Sequence, residues 1–245
     1  MFGTSTSALI LRSTPRCPDG VALLPAPASL GEVLDHVEQC VACGQGGTPA
    51  EGRSPTHAAV WAADNGCYGH GYPGDTAWLR WLHRHRTHAD RCLFATAPDV
   101  PGKADATLQR SMPHLTTIRA LGYPAALIAQ DGLERLPVPW PEFDVLFLGG
   151  TTPWKLGPAA AQLAADALRH GKPVHLGRVN SATRWHYARR LGCASVDVTF
   201  LAYAPDANLN RLRRWINASP PVGPTDRRWR LDAGPCMERR YDSTC

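Results

Sequence analysis

Apolar and polar positions alternate in blocks along the central part of the chain. Short runs that are almost wholly apolar recur at 58–63, 92–95, 125–129, 143–148, 174–176 and 195–201. Amphipathic segments follow most of these runs and predict helices over 75–85, 103–121, 158–170, 182–191 and 208–216. Wholly apolar strands that alternate with helices are typical of a parallel sheet covered on both faces.

The pattern is less regular in the first part of the chain. Apolar runs at 8–11 and 21–24 predict one or two further strands, and residues 30–39 predict a helix. Residues 40–56 are rich in Gly, Pro, Ser and Thr and predict an inserted surface loop. The strand–helix units favour a (β/α)8 TIM-type barrel, complete or trimmed at its N-terminus, over an open doubly wound sheet. We therefore expect a single barrel domain over 1–217 and a Pro- and Arg-rich tail over 218–245.

The composition sets broad limits on the class of protein. The chain has 245 residues, of which 44% are hydrophobic and 19% charged, and this is enough to bury a full core. It shows neither a membrane-length apolar run nor a signal peptide, so a cytoplasmic protein without a membrane partner is expected. The net charge of +5 permits a polyanionic partner without requiring one. The eight cysteines include one CxxC pair, Cys40 and Cys43, and predict free thiols rather than disulfides or a metal site.

Polar residues and glycines fall repeatedly at the C-terminal ends of the predicted strands. They are Asp64, Asp99, Gln130, Gly149, Gly150, Arg178, Asn180 and Asp197. In a parallel α/β barrel these strand ends form one rim, and active sites are built there. Each residue alone has a structural explanation, such as a helix cap for Asp64 or Asp99. Together they favour one shared pocket.

Asp197 is the one acidic residue in the apolar run at 195–201. A lone carboxylate in a buried strand must be hydrogen-bonded, paired or used, because an unpaired buried charge is strongly unfavourable. Carboxylates combined with amides and glycines suit glycosyl chemistry, in which one carboxylate attacks the sugar and another group moves protons. The same residue types also permit an aldolase, an isomerase or a hydrolase.

The order of the short motifs resembles that of the tRNA-guanine transglycosylases. The motifs are DNG at 64–66, PD at 98–99, AQDG at 129–132, LGG at 148–150, HLGRV at 175–179 and GCASVD at 192–197. The stretches ATAPDVPGKADATLQRS and FLGGTTPWKLGP are most similar to the compact phage and bacterial relatives that insert 7-deazaguanines into DNA. The resemblance covers roughly residues 61–215.

The resemblance implies a DNA guanine transglycosylase, a glycosyltransferase that exchanges guanine in DNA for a free 7-deazaguanine without cofactor or metal. Asp197 would be the nucleophile that forms a covalent glycosyl intermediate, and Asp64 the general acid and base. The implied substrate-binding residues are Asp99, Gln130, Gly149, Gly150, Asn65, Arg178 and Asn180. The implied setting is the cytoplasm of a bacterial cell, with the protein encoded by a phage or by the bacterium.

The chain departs from the family in places that affect the expected partner. Asn65-Gly66-Cys67 replaces the Ser-Gly-Gly of the first motif, and the residues after Gly150 differ, which leaves the incoming base open. The zinc module of the tRNA enzymes is missing, so DNA is the expected partner and tRNA the alternative. Contacts to phosphate are expected from Arg80, Arg84, Arg211, Arg213 and Arg214. A catalytically silent nucleic-acid-binding barrel, a homodimer and a partner from a modification system remain open.

Overall fold

The computed structural model describes residues 7–10, 22–23, 44–47, 60–68, 72–200 and 205–218. The strands within these ranges are β1 (Ser7–Ile10), β2 (Ala22–Leu23), β3 (Gly44–Gly47), β4 (Val60–Ala63), β5 (Cys92–Thr96), β6 (Ala125–Ala129), β7 (Val145–Leu148), β8 (Val174–Leu176) and β9 (Ser195–Val198). The α-helices are α1 (Asp75–Arg84), α2 (Ala104–Ala120), α3 (Thr152–Lys155), α4 (Pro158–Arg169), α5 (Ala182–Arg190) and α6 (Pro205–Asn217). Short 3₁₀ helices lie at Arg86–Arg91, Leu133–Arg135 and Trp140–Glu142.

The strands form one sheet in the order β2-β1-β9-β8-β7-β6-β5-β4-β3. Strands β3 to β9 are parallel, whereas β1 runs antiparallel to β9 and β2 antiparallel to β1. Among the described residues no hydrogen-bonded ladder joins β3 to β2, so the sheet has two edges. The prediction of a closed (β/α)8 barrel is therefore wrong.

The difference between the predicted closed barrel and the observed open sheet arises in the first part of the chain. Strands β1 and β2 pair antiparallel, an arrangement that needs no crossover helix between them. Strand β3, with the sequence GQGG, lies inside the segment predicted as a surface loop. Glycine carries no side chain to show an apolar pattern, so its strand could not be recognised from periodicity. The predicted helix at 30–39 and the tail beyond residue 218 lie outside the described residues.

From β4 onward the predicted elements are confirmed. Strands β6 and β8 have the predicted bounds, and helices α1, α2, α4, α5 and α6 cover the segments with amphipathic patterns. In strands β5 to β9 every residue is buried, as expected for a sheet covered on both faces. None of the helices in the described part of the chain combines the length and the apolar character needed to span a membrane.

The parallel strands curve, so that one face of the sheet is concave. The ring centroids of Phe94 on β5 and His175 on β8 are 4.9 Å apart, although three strand spacings separate these strands. In a flat sheet the same separation would be about 14 Å. The concave face carries its own apolar cluster, which is distinct from the main core beneath the helices and consists of Ala62, Leu93, Phe94, Ala126, Ile128, Val145 and Phe147.

Asp144, just before β7, joins three elements and gives a test of the fold. The Arg119 guanidinium on α2 donates to its two carboxylate oxygens at 3.0 and 2.8 Å, and the Ala125 N–H on β6 donates at 2.8 Å. Asp144→Ala removes the acceptor of the Ala125 N–H and of two Arg119 hydrogen bonds, and Arg119 keeps only its bond to the Pro141 carbonyl oxygen. We expect this change to lower the free energy of unfolding by roughly 2 kcal/mol. Urea denaturation measures this change, and the exposed Asp90→Ala serves as the control, with an effect below about 0.5 kcal/mol. Equal effects would contradict the assigned role of Asp144.

Candidate functional site

The strand-end residues picked out by the sequence lie along the C-terminal edge of β4 to β9, above the concave face. Asp64, Asn65, Asp99 and Gln130 follow β4, β5 and β6 and form a first cluster. The second cluster combines Asp197 on β9 with residues that follow β7 and β8, namely Gly149, Gly150, Lys155, Gly177 and Arg178.

The first cluster is built around Asp99, whose side chain is buried. Its Oδ2 accepts a hydrogen bond from Gln130 Nε2 at 2.6 Å, and its Oδ1 accepts one from Asn65 Nδ2 at 3.4 Å. The N–H of Gly102 donates to Gln130 Oε1 at 2.8 Å, which turns the amide nitrogen of Gln130 toward Asp99. Burial raises the pKa of Asp99 above its ordinary value, while the amide donors oppose the rise.

Asp64 stands at the more open side of this cluster. Its side chain is half-buried, and its Oδ1 accepts a hydrogen bond from the N–H of Gly66 at 3.3 Å. Asn65 is buried and also donates to the carbonyl oxygen of Ala97 at 2.8 Å. The Asn65 side chain thus fastens the end of β4 to the segment that follows β5, while Asp64 keeps a more exposed carboxylate.

Asp197 is the centre of the second cluster and is 8% exposed. The backbone N–H of Arg178 donates to its Oδ1 at 2.7 Å, and His175 Nε2 lies 3.3 Å from its Oδ2. Arg178 has a φ of +61°, the one positive value for a non-glycine residue in the described part of the chain. A left-handed conformation is unfavourable for such a residue, and here it aims the amide at the carboxylate. Both oxygens of Asp197 are therefore held in place.

The Gly149-Gly150 loop shapes the edge rather than offering free backbone donors. Both N–H groups donate to the carbonyl oxygen of Ala129, at 3.0 and 3.1 Å. Both carbonyl oxygens accept hydrogen bonds from the Arg178 guanidinium, that of Gly149 at 3.0 Å. A Cβ at Gly150 would overlap the ring of Trp154, and one at Gly149 would lie 2.5 Å from Ile128 Cγ2. The glycines are required because the chain passes so close to its neighbours.

We expect Gly150→Ala to lower the free energy of unfolding by roughly 2–3 kcal/mol, because the new methyl group overlaps Trp154 and φ is +36°. The matched control is Gly102→Ala, at a turn glycine with φ of +76° and open space around the Cβ position. This control carries the backbone strain without the overlap and should lose about 1 kcal/mol. Thermal unfolding of both variants measures the difference. A smaller loss in Gly150→Ala than in the control would be inconsistent with the close packing.

Lys155 is a site residue that the sequence did not reveal. It is fully buried on α3, and its Nζ donates to the carbonyl oxygen of Gly177 at 2.5 Å. Burial lowers the pKa of Lys155 to about 7; Arg178 acts in the same direction, and the Asp197 charge opposes it. The amine is therefore divided between its charged and neutral forms near neutral pH. The available signal was a lysine just after a strand-end glycine pair, at a position whose burial only the structure shows.

His175 was the second residue missed, because its place inside a short apolar strand is also typical of a structural histidine. The ring is fully buried, with Nδ1 2.7 Å from Ser195 Oγ and Nε2 facing Asp197. The rings of Phe94 and Phe147 pack against it, with centroids 4.9 and 4.4 Å away. His175 thus links the carboxylate to the apolar cluster below it.

Tyr68 connects the two clusters across the open side of the edge. The Arg178 guanidinium carbon lies 4.1 Å from the centre of the Tyr68 ring, which is 69% exposed. Tyr68 follows β4 and Arg178 follows β8, so the curvature of the sheet brings their loops together. The curvature therefore places the loop after β4, which carries part of the first cluster, against Arg178 of the second cluster.

Several predicted site residues have other placements. Asn180 uses both ends of its amide inside the protein, donating to Thr199 Oγ1 at 2.7 Å and accepting from the Thr199 N–H at 2.9 Å. It fastens the turn after β8 to the end of β9. Arg80 and Arg84 are exposed on α1, and Arg211 and Arg214 on α6. The side chain of Arg213 lies outside the described set.

The cysteines in the described residues, Cys67, Cys92 and Cys193, are free thiols, as predicted. Burial raises the pKa of Cys67 to about 12 and raises that of Cys92 as well. Both thiols therefore stay protonated at neutral pH and are poor nucleophiles. Within the same residues no group of three His, Cys, Asp or Glu side chains is placed to hold a metal ion. The pair Cys40 and Cys43 lies outside them.

Comparison with known proteins gives matches to solved structures. Neither a family model nor a curated protein matches the sequence. Similar structures include Vibrio cholerae LapD S helix-GGDEF-EAL bound to c-di-GMP (10% identity, TM-score 0.42) and the c-di-GMP-bound FimX EAL domain of Pseudomonas aeruginosa (13%, 0.42). Another is the manganese/cy-diGMP complex of Klebsiella pneumoniae BlrP1 (12%, 0.39).

The matches differ in how much of each protein they include. The match to LapD covers 70% of this chain, and the matches to FimX and BlrP1 cover 80% each. They cover 40% of the LapD chain, 87% of the FimX chain and 55% of the BlrP1 chain. The chain therefore spans less than two thirds of the LapD and BlrP1 structures.

These findings overturn the transglycosylase interpretation. The LapD and FimX structures are described as containing an EAL domain, and all three are described with a cyclic dinucleotide. None is described as an enzyme that acts on DNA, tRNA or a free 7-deazaguanine. The predictions of a DNA guanine transglycosylase, of a glycosyltransferase and of DNA or deazaguanine partners are therefore wrong. At TM-scores near 0.4 the likeness carries no activity from these neighbours to this chain.

The misleading signal has a physical origin. Glycines and acidic residues after parallel strands make turns and cap the helices that follow, so short motifs of this kind recur in parallel α/β folds whatever their chemistry. Their order along the chain follows from the order of the strands. The motifs thus indicated the edge of the sheet that carries the polar residues, and they did not identify a reaction.

Proposed function

We propose that the C-terminal edge of β4 to β9 is the active site of an enzyme that transfers protons to and from a small polar organic substrate. The observation that carries the proposal is the pair Asp197 and Lys155. A buried carboxylate with both oxygens held lies beside a buried amine that changes charge near neutral pH. Perturbed ionisable groups gathered at one strand-end edge are typical of catalytic sites.

Asp197 is the proposed base. Each carboxylate oxygen has two lone pairs, so the hydrogen bonds from Arg178 and His175 leave acceptor capacity for a substrate proton. The same hydrogen bonds fix the orientation of the carboxylate before substrate binds, which lowers the reorganisation needed in the transition state.

Lys155 is the proposed partner in proton transfer. A group that acts as both acid and base works best when its pKa lies near the working pH, and the pKa of Lys155 is about 7. Gly177 brings the two groups together. Its carbonyl oxygen accepts from Lys155 Nζ, and a Cβ on it would lie 3.2 Å from Asp197 Oδ2. The charge of Lys155 therefore acts directly on the carboxylate.

The first cluster is the proposed binding half of the site. The Asp99 carboxyl and the amides of Gln130 and Asn65 form a buried polar set that suits a substrate with N–H or O–H donors. Asp64, which is more exposed, is the proposed second acid–base group at the entrance. We propose a cytoplasmic location, since thiols such as those of Cys67 and Cys92 persist in reducing compartments.

Conversion of small molecules in a metabolite extract tests the proposal. The purified protein and the double variant Asp197→Asn/Lys155→Met are incubated with the same extract, and substrates and products are followed by mass spectrometry. We expect the wild-type protein to deplete at least one polar metabolite that the double variant leaves unchanged, with both proteins folded by circular dichroism. Identical metabolite profiles for the two proteins would refute the proposed function.

A further inference from the structure

We infer that His175 and Ser195 are positioning residues for Asp197. They form a buried series of hydrogen bonds that orients the carboxylate. The role in catalysis rests on the proposed function, whereas the hydrogen-bond chain itself can be tested without a substrate.

The sheet register places the three side chains on one face. His175 on β8 lies directly opposite Ser195 on β9, and Asp197 is two residues further along β9. Because side chains alternate along a strand, Ser195 and Asp197 both point to the concave face, with the His175 ring between them. Its Nδ1 lies 2.7 Å from Ser195 Oγ and its Nε2 lies 3.3 Å from Asp197 Oδ2.

The chemistry of the partners assigns the hydrogen positions. An ionised carboxylate can only accept, so in the neutral ring Nε2 carries the hydrogen and Nδ1 accepts from the Ser195 hydroxyl. The chain then runs from the Ser195 O–H to His175 and from the His175 N–H to Asp197. All its donors point toward the carboxylate.

The surrounding side chains exclude water from the hydrogen bonds among Ser195, His175 and Asp197 and restrict the motion of these three residues. His175 is fully buried, Ser195 is 2% exposed, and the rings of Phe94 and Phe147 pack on the imidazole. Hydrogen bonds are stronger where water is excluded, and a packed ring cannot turn to release the carboxylate. The carboxylate of Asp197 therefore selects the Nε2–H tautomer, and the Ser195 hydroxyl holds the other side of the ring by donating to Nδ1.

Loss of the His175 N–H is expected to release one oxygen of Asp197. Its Oδ1 keeps the hydrogen bond from the backbone N–H of Arg178, while its Oδ2 loses the hydrogen bond from His175 Nε2. The carboxylate can then turn about the remaining hydrogen bond, so a change at the Asp197 carboxylate and at the Arg178 amide reports on His175.

Nuclear magnetic resonance tests the inference on the full chain. His175→Phe removes the donor while keeping a ring between Phe94 and Phe147, and His175→Gln keeps an N–H near the Nε2 position. At neutral pH we expect the Asp197 carboxyl ¹³C resonance and the Arg178 amide ¹⁵N resonance to shift in His175→Phe, because the carboxylate has lost one of its two donors. In His175→Gln, which restores a donor, both resonances should shift by less than half as much.

A second measurement reads the tautomer directly. Imidazole ¹⁵N shifts should show the Nε2–H form of His175 in the wild-type protein and the Nδ1–H form in Asp197→Asn, whose amide nitrogen donates to Nε2. In Ser195→Ala the ring should keep the Nε2–H form, with the Nδ1 resonance shifted by the loss of its donor. An Nδ1–H ring in the wild-type protein, or unchanged Asp197 and Arg178 resonances in folded His175→Phe, would overturn the inference. Because neither readout needs a substrate, failure of the metabolite test and failure of this one are distinguishable. If His175→Phe does not fold, the tautomer of His175 in the wild-type protein still decides the question.

Discussion

Asp197→Asn is expected to lower kcat by roughly 10³-fold on any substrate that the wild-type protein converts, because an amide cannot accept a proton as a base. Asn keeps the shape of the side chain, and its oxygen can still accept the N–H of Arg178. Its amide nitrogen can donate to the other tautomer of His175, whose Nδ1–H would then donate to Ser195 Oγ. The hydrogen-bond chain reverses, and the fold should be retained.

Steady-state kinetics with the purified variant measures this loss. We expect KM to change far less than kcat, since the substrate is held mainly by the first cluster around Asp99. The control is Asp105→Asn, at an exposed carboxylate on α2, and it should keep wild-type rates. If Asp197→Asn retained more than a tenth of the wild-type kcat, Asp197 could not be the base.

Lys155→Met is expected to abolish a rise in stability that the wild-type protein shows between pH 7 and pH 9. The pKa of Lys155 is about 7 in the folded protein and near 10.4 for an unfolded lysine. Between these values the unfolded state binds one proton more, so the free energy of unfolding increases with pH. Over this window the contribution of Lys155 amounts to roughly 2 kcal/mol. At and below pH 7 the buried charge destabilises the wild-type protein, and Met there should be neutral or stabilising.

Urea denaturation of both proteins at several pH values measures the effect as a difference in slope. Other titrating groups contribute equally to the two proteins and cancel in the difference. Lys103→Met, at an exposed lysine, should follow the wild-type curve throughout. Parallel curves for Lys155→Met and the wild type would show that Lys155 keeps an ordinary pKa, and its proposed role in proton transfer would then fail.

Local sequence pattern predicted the elements from β4 onward, because each strand is an apolar run and each predicted helix is an amphipathic segment. The run AALIA is apolar throughout and β6 is buried on both faces. The amphipathic segment that becomes α2 places Leu115 and Ile118 against the sheet. Whether the sheet closes into a barrel could not be predicted in this way, because closure depends on pairing between strands that are distant in sequence. The antiparallel pairing of β1 with β9, which joins the first and the last strand of the described chain, is an example of such a contact.

The candidate site likewise contains residues that local sequence could predict and residues that only tertiary contacts reveal. Asp99 and Asp197 could be found because a carboxylate at the end of an apolar run is unusual, and parallel strands bring such ends together. Lys155 and His175 could not be found, since their importance comes from burial and from partners on other strands. Arg178 was found, yet as a substrate contact; the structure shows its guanidinium bonded to the Gly149 and Gly150 carbonyls.

The sequence by itself determined the parallel strand–helix units and the edge of the sheet that carries the polar residues. Both follow from periodicity and chain direction, which are local properties. The open sheet, the chain Ser195–His175–Asp197 and the lowered pKa of Lys155 were decided only by the tertiary structure. Strand pairing, desolvation and hydrogen-bond direction depend on which distant residues meet, and short motifs do not contain that information.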